Sequence, residues 1–179
     1  MKKDKITIIF PTQMEATQFQ RLHPEVDVVI GGVGMAATAA TITKLLLREV
    51  RPQRVVMAGI AGSYSLGQLP LNQVVEVVSE QIEELPYRYR KEYSVTSKWG
   101  LKEATSSTVS RSNSLHHRGA EIENMEGVIL FAMCEGLPIE VSEIRSISNR
   151  VGAPFEEWQI ESSIEALTAE LSRIYKSIK

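Results

Sequence analysis

Glu15 follows a short apolar run and Pro11 near the start of the chain. In an α/β sheet the carboxyl ends of strands face the ligand crevice, and a carboxylate there can act as a general base. The plainer reading of the same spacing is a solvated glutamate at a helix start. Two glycine turns come next, Gly31-Gly32-Val33-Gly34-Met35 and Ala58-Gly59-Ile60-Ala61-Gly62-Ser63, each after an apolar run. Such turns bring backbone N–H donors close to a ligand. Neither is a phosphate-binding P-loop, because no Gly-Lys-Ser/Thr follows, and Ala37 with no acidic partner in a following strand makes a poor dinucleotide fingerprint. A third group, Glu123-Asn124-Met125-Glu126-Gly127, brackets the start of an apolar segment with two acids. These can cap a helix, or one of them can grip vicinal hydroxyls with its two oxygens. The fourth, Arg145-Ser146-Ile147-Ser148-Asn149, closes an apolar run. Asn149 there can form a turn or read the edge of a base, since its amide both donates and accepts.

The elements that must carry these groups can be read from the pattern. Lys5–Phe10, Val26–Ile30, Arg54–Ala58, Gln73–Val78 and Pro138–Ile147 read as strands. Met14–Leu22, Met35–Val50, Asn124–Glu135 and Ile160–Ile178 read as helices. Pro52, Gly136 and Pro138 provide stops. Runs as apolar as Arg54–Ile60 suit a sheet covered on both faces. The terminal segment carries Ile160, Ile164, Leu167, Leu171, Ile174 and Ile178 in one stripe; it is too short for a convincing coiled coil and reads as core packing. The middle is different. Glu80–Arg90 is charged and aromatic, and Thr105–Ser114 has seven Ser/Thr in ten positions, which reads as irregular apart from one strand near Tyr93–Thr96. The expectation is one α/β domain over residues 1–179, with a mixed, largely parallel sheet between helical layers.

At 179 residues, 43% hydrophobic and 23% charged, the chain can bury a sizeable core and is too apolar for disorder. Twenty Lys+Arg against 22 Asp+Glu give a formal net charge of -2, so no basic field favours nucleic acid or an anionic membrane as partner. One cysteine, Cys134, cannot form an internal disulfide, and no segment reads as a signal peptide or membrane span. A cytoplasmic location is therefore expected.

Taken in order, Ile8–Glu15, Gly31–Thr41, Ala58–Ser63, Asn124–Gly127 and Arg145–Asn149 resemble the purine nucleoside phosphorylase and nucleosidase superfamily, and Trp158 belongs to the same tail pattern. The resemblance covers most of the chain outside roughly 85–115, with the stretch between Pro86 and Glu121 shortened. Within the superfamily the chain is most similar to the futalosine hydrolases of menaquinone biosynthesis. The resemblance implies a three-layer α/β sandwich and cleavage of the N-ribosidic bond of a 6-oxopurine nucleoside. It implies no metal or organic cofactor, and it implies a homodimer. Glu15 would orient or deprotonate the attacking water, Glu126 would hold the ribose hydroxyls, and Met125 would pack on the sugar. Asn149, where adenine-specific relatives carry Asp, would donate to a 6-oxo group or N7. Gly34, Ile60, Ala61, Gly62, Asn124 and Trp158 would complete the substrate site. Met57 and Ile60 fall where phosphorylases place phosphate-binding Arg and Ser, which favours water as the acceptor. The base-stacking residue is sought among Tyr87, Tyr89, Tyr93 and Trp99. The alternatives are a purine nucleoside phosphorylase, a methylthioadenosine/adenosylhomocysteine-type nucleosidase, or a non-catalytic nucleoside-binding protein.

Other reactive residue types carry less. His23, His116 and His117 lack metal-site spacing. Cys134 sits in an apolar segment as a small hydrophobe, and Ser106, Ser107 and Ser110 lack a nucleophile elbow. Arg88, Arg90 and Lys91 alternate with tyrosines in a way that could stack RNA bases, but Glu83, Glu84 and Glu92 flank them, which favours a solvated strand or a dimer rim.

Overall fold

The computed structural model describes residues 6–64, 69–113 and 119–178. Strands β1 (Ile6–Phe10), β2 (Asp27–Ile30), β3 (Arg54–Ser63), β4 (Val74–Ile82), β5 (Tyr93–Ser94), β6 (Lys102–Thr108), β7 (Ile122–Asn124) and β8 (Glu140–Arg150) form one mixed sheet. Helices α1 (Gln13–Leu22), α2 (Met35–Leu46), α3 (Gly127–Cys134) and α4 (Ile160–Ser177) cover it. The pairs β1–β2, β1–β3, β3–β8, β4–β6 and β6–β7 are parallel, whereas β3–β7, β4–β5 and β4–β8 are antiparallel. Strand β3 pairs with β1 through Arg54–Met57, with β7 through Gly62 and Ser63, and with β8 along its whole length. The pairing therefore runs from β3 through β8, β4, β6 and β7 and returns to β3. The circuit closes where β3 and β8 end and β7 begins.

Strand alternation sends successive side chains to opposite faces. Val55 and Met57 of β3 pack with Ile9, Ile42, Leu45, Leu130 and Phe131 on one face. Val56 and Ala58 pack with Ile8, Phe10, Phe19, Leu167, Leu171 and Ile174 on the other. Three layers result, α2 and α3 on one side and α1 and α4 on the other. The stripe of the last helix is spent on this core. No helix among the described residues is long and apolar enough to cross a membrane.

Three expectations are corrected. The Ser/Thr-rich stretch contains a real strand, β6, lying between β4 and β7. Its hydroxyls are buried: Ser106, Ser107 and Thr108 are at most 1% exposed. They bond acidic side chains, with Thr108 Oγ1 donating to Glu80 Oε2 at 2.7 Å. A hydrophobicity pattern cannot show a strand whose inward face is polar. Residues Ile122–Asn124 are also a strand, and α3 begins only at Gly127. Of the acids read as flanking a solvated strand, Glu83 is buried, and Glu80, in the stretch read as irregular, is a buried residue of β4.

Candidate active site

Thr12-Gln13-Met14-Glu15 has the form of a capping box, and Thr12 is the N-cap of α1, its hydroxyl accepting the Glu15 N–H at 3.3 Å. The glutamate does not return to the cap's own backbone. Its Oε2 accepts the Thr12 hydroxyl at 2.6 Å, and its Oε1 accepts the Ile60 N–H of β3 at 3.0 Å. Glu15 is 4% exposed, not the solvated side chain of the plainer reading. Burial raises its pKa above the usual glutamate value, and the Glu126 carboxylate adds to this. The bonds from Thr12 and Ile60 and the Arg145 charge oppose the rise.

Glu126 holds the N-cap position of α3, makes no side-chain bond to the helix, and is equally buried. Its Oε1 accepts the Gly34 N–H at 3.0 Å, and its Oε2 lies 3.4 Å from both terminal nitrogens of Arg145. A carboxylate oxygen has two acceptor positions. These contacts occupy one lobe of Oε1 and, on the long side, Oε2, so the carboxylate keeps acceptor capacity toward the cavity.

Arg145, fully buried, ties these groups together. Its Nε donates to Glu143 Oε1 at 2.8 Å, Nη2 to Asn124 Oδ1 at 3.0 Å and Nη1 to the Ile60 carbonyl at 3.4 Å. Burial works against the guanidinium charge, but Glu143, Glu126 and Glu15 more than offset it and raise the Arg145 pKa above its ordinary value. Gly59 makes room: a Cβ there would lie 2.7 Å from Arg145 Nη1 and 3.0 Å from Glu15 Oε1. This close approach explains the glycine better than any turn does.

Glu15, Glu126 and Arg145 line one cavity of about 340 Å³. Ile60, Ala61, Gly62, Asn124, Met125, Asn149 and Trp158 line it too. Gly34 reaches the site through its N–H to Glu126. Glu15, Glu126, Asn149 and the residues expected to complete the substrate site thus meet at one place. Glu123 also borders the cavity, with its oxygens engaged by the Tyr64 hydroxyl at 2.9 Å and the Asn113 N–H at 2.6 Å. Asn149 is 3% exposed; its Oδ1 accepts from the Ser148 hydroxyl and its Nδ2 donates to the Arg150 carbonyl.

The four aromatic candidates do not border this cavity. Tyr87 and Tyr89 are 87% and 60% exposed on a surface turn, Tyr93 packs against the core edge, and the Trp99 indole donates to Ser142. The aromatic rings at the cavity are Phe155 and Trp158, with centroids 5.2 Å apart. Sequence reasoning assigned no role to Arg145, Thr12, Glu143 or Phe155. The available signal was the pair of opposite charges, Glu143 and Arg145, at alternate positions of one strand.

Among the residues set aside, Cys134 is buried, and burial pushes its thiol pKa up to about 11. His23 is packed between Phe19 and Tyr175 and bonded to Ser172. His116 and His117 lie outside the described residues. No cluster of potential metal ligands occurs among the described residues. Met57 is part of the core, at 1% exposure.

No protein-family model matches the chain. No curated protein matches it in sequence. Solved structures do match in fold. A futalosine hydrolase mutant from Helicobacter pylori superposes with a TM-score of 0.82 at 15% identity, covering 97% of this chain and 99% of that one. A 5'-methylthioadenosine/S-adenosylhomocysteine nucleosidase from the same organism, bound to butyl-thio-DADMe-Immucillin-A, gives 0.84 at 16% identity, covering 99% and 100%. An MTAN from Chlamydia trachomatis bound to MTA gives 0.79 at 20% identity, covering 97% and 98%. The mixed α/β architecture of this chain is the fold of these proteins.

Proposed function

We propose that the chain is a nucleosidase that hydrolyses the N-ribosidic bond of a purine nucleoside, and that its substrate is a 6-oxopurine nucleoside of the futalosine type. The observation that carries this reading is the meeting of two buried carboxylates, Glu15 from α1 and Glu126 from the start of α3, in one cavity. The fold shared with solved nucleosidases supports it.

In this reading the remaining acceptor capacity of Glu126 takes the ribose 2'- and 3'-hydroxyls, and Met125 packs against the sugar. As the bond from C1' to the base breaks, its electron pair leaves with the base. The sugar becomes oxocarbenium-like, and the nearby Glu126 charge favours that cation. Water held by Glu15 adds to C1' and gives its proton to that carboxylate. The Asn149 amide hydrogen-bonds to the charge growing on the base, which takes its proton from solvent. Glu15 must be ionised to act, and burial raises its pKa from the ordinary 4.5. Activity is therefore expected to rise with pH through a point above 4.5, as a pH profile of kcat/KM will show.

Water is favoured over phosphate as the acceptor by charge. Among the described residues lining the cavity, Arg145 is the one cation, and it already serves Glu126, Glu143 and Asn124. A phosphate dianion would have to approach Glu15 and Glu126 without a free partner. An adenine nucleoside is the second reading, given the methylthioadenosine-type enzymes of this fold. It is disfavoured because Asn149 has no acidic proton to give N7. Incubation with futalosine, inosine and methylthioadenosine, with and without phosphate, followed by chromatography of the base, tests the proposal. Hypoxanthine released from futalosine without phosphate is expected. Faster release of adenine would overturn the specificity, ribose-1-phosphate would establish a phosphorylase, and binding without release would leave only a nucleoside-binding protein.

Trp158 and Phe155 offer the aromatic faces that the base requires. Trp158→Ala is expected to raise KM about tenfold with a smaller change in kcat, in line with the energy of one lost aromatic contact. At the rim Met14, Val33 and Phe155 are 57%, 53% and 65% exposed. An apolar mouth of this kind suits a homodimer in which a second copy covers it. Light scattering should give the mass of two chains, and one chain's mass would refute it.

A further inference from the structure

Beneath the cavity lies a second pair of acids that the reaction described above does not use. Glu80 on β4 and Glu143 on β8 are both fully buried. Both face α3 at Gly127, where a Cβ would fall well inside van der Waals contact of both Glu143 carboxylate oxygens and of Glu80 Oε1. The two acids therefore crowd the same side of one glycine. The donors around them are unevenly shared. Glu80 accepts from Asn124 Nδ2 at 2.5 Å and from the Thr108 hydroxyl at 2.7 Å. Glu143 Oε1 accepts from Arg145 Nε, while Glu143 Oε2 has no donor among the described residues. Neighbouring donors are committed elsewhere: the Val128 N–H goes to Thr108 Oγ1, and the N–H groups of Glu126 and Gly127 and Nη2 of Arg145 go to Asn124 Oδ1. The group left to satisfy Glu143 Oε2 is Glu80 itself, if it carries a proton.

We propose that Glu80 and Glu143 share one proton as an acid pair, and that Glu143, held ionised in this way, is a positioning residue that aims Arg145 at the ribose-binding Glu126. The proposal rests on the nucleosidase reading for its effect on rate, but not for the shared proton. Two carboxylates packed together cannot both ionise at low cost, so the pair keeps a single negative charge. That charge falls on Glu143, which has the guanidinium beside it. Glu80 is left as the protonated partner; burial first, then the Glu143 charge, raise its pKa well above the usual value. Burial likewise raises that of Glu143, with Arg145 opposing. The groups facing the pair are Asn124 of β7, Ser106 and Thr108 of β6, Arg145 of β8 and Glu126 at the head of α3. Glu15 lies beyond Arg145. Gly127 is the residue that admits the arrangement.

The test uses rate, pH profile and infrared spectra of the intact protein. Glu143→Gln keeps the shape and removes the charge. It is expected to lower kcat at least about tenfold, the scale of one charge-assisted hydrogen bond. It also removes a negative charge near Glu126 and Glu15, so the acidic limb of the kcat/KM profile should move to lower pH. A merely structural role would lower activity without moving that limb. In the infrared, a protonated carboxyl C=O band should be present at neutral pH in the wild type, persist in Glu15→Gln and vanish in Glu80→Gln. Wild-type rates with an unmoved limb in Glu143→Gln would overturn the positioning role. Absence of the band from both wild type and Glu15→Gln would overturn the shared proton, even if Glu143→Gln or Glu80→Gln fails to fold. If the wild type releases no base from any nucleoside, the functional reading fails, and the infrared result still decides the acid pair.

Discussion

Glu126→Gln is expected to lower the rate of base release at saturating nucleoside by at least about a hundredfold, with the protein still folded. The argument is local. One Glu126 oxygen receives the Gly34 N–H and the other faces Arg145. An amide NH₂ at either place would set a donor against a donor. Substitution also removes the negative charge that favours an oxocarbenium-like sugar. Losing a preorganised interaction of this kind costs about 3 kcal/mol of barrier, roughly a hundredfold in rate. Initial rates of base release, with circular dichroism to establish folding, check it. An unchanged rate in a folded protein would remove Glu126 from the mechanism.

Glu15→Gln should fall by about the same factor for a different reason. The amide oxygen can accept from the Ile60 N–H and the amide nitrogen can donate to the Thr12 hydroxyl, so the geometry survives. What disappears is the proton acceptor, and with it the acidic limb of the pH profile. Stability supplies a second readout. A carboxyl whose folded pKa is raised contributes stability that is present below its unfolded value and lost as pH rises through the folded one. Glu15 is such a group, raised from 4.5 by burial. The glutamine variant lacks that loss, so its melting temperature at neutral pH should equal or exceed the wild type's. A variant that keeps full activity would show that Glu15 only caps its helix. A marked fall in melting temperature would show that the carboxylate is needed for structure.

How much of this was legible in the sequence depended on what each segment buries. The runs that became β1 and β3 are apolar because they lie between two helical layers, and they read correctly; β8 also read as a strand, although most of its buried side chains are polar. The stripe of α4 faces the core and also read correctly. Strand β6 did not, because its inward residues meet the carboxylates of Glu80 and Glu83 in place of aliphatic side chains. The charged stretch near Glu80 failed for the same reason: its acids have partners distant in sequence. The positions of Glu15, Glu126 and Asn149 around one cavity were foreseeable as ends of strands and starts of helices. Arg145 stood within a quoted motif, but nothing local shows that it serves three acids at once. The tyrosines drew attention because the resemblance implies a base-stacking aromatic in their stretch, yet Tyr87 and Tyr89 project from a turn into solvent.

The saturation of Asn124 has a consequence for how this chain can change over generations. One amide side chain receives the N–H groups of Glu126 and Gly127 and the Arg145 guanidinium, and donates to Glu80 and Ser106. Truncating Glu80, Asn124 or Glu143 alone strands a buried donor or acceptor, at about 1–3 kcal/mol, and a side chain at residue 127 would collide with both acids. Such positions are epistatic: a substitution harmful by itself becomes tolerable once its neighbour has changed. A pairwise mutational scan would find them inherited as a block, while rim residues such as Met14 and Val33 vary independently.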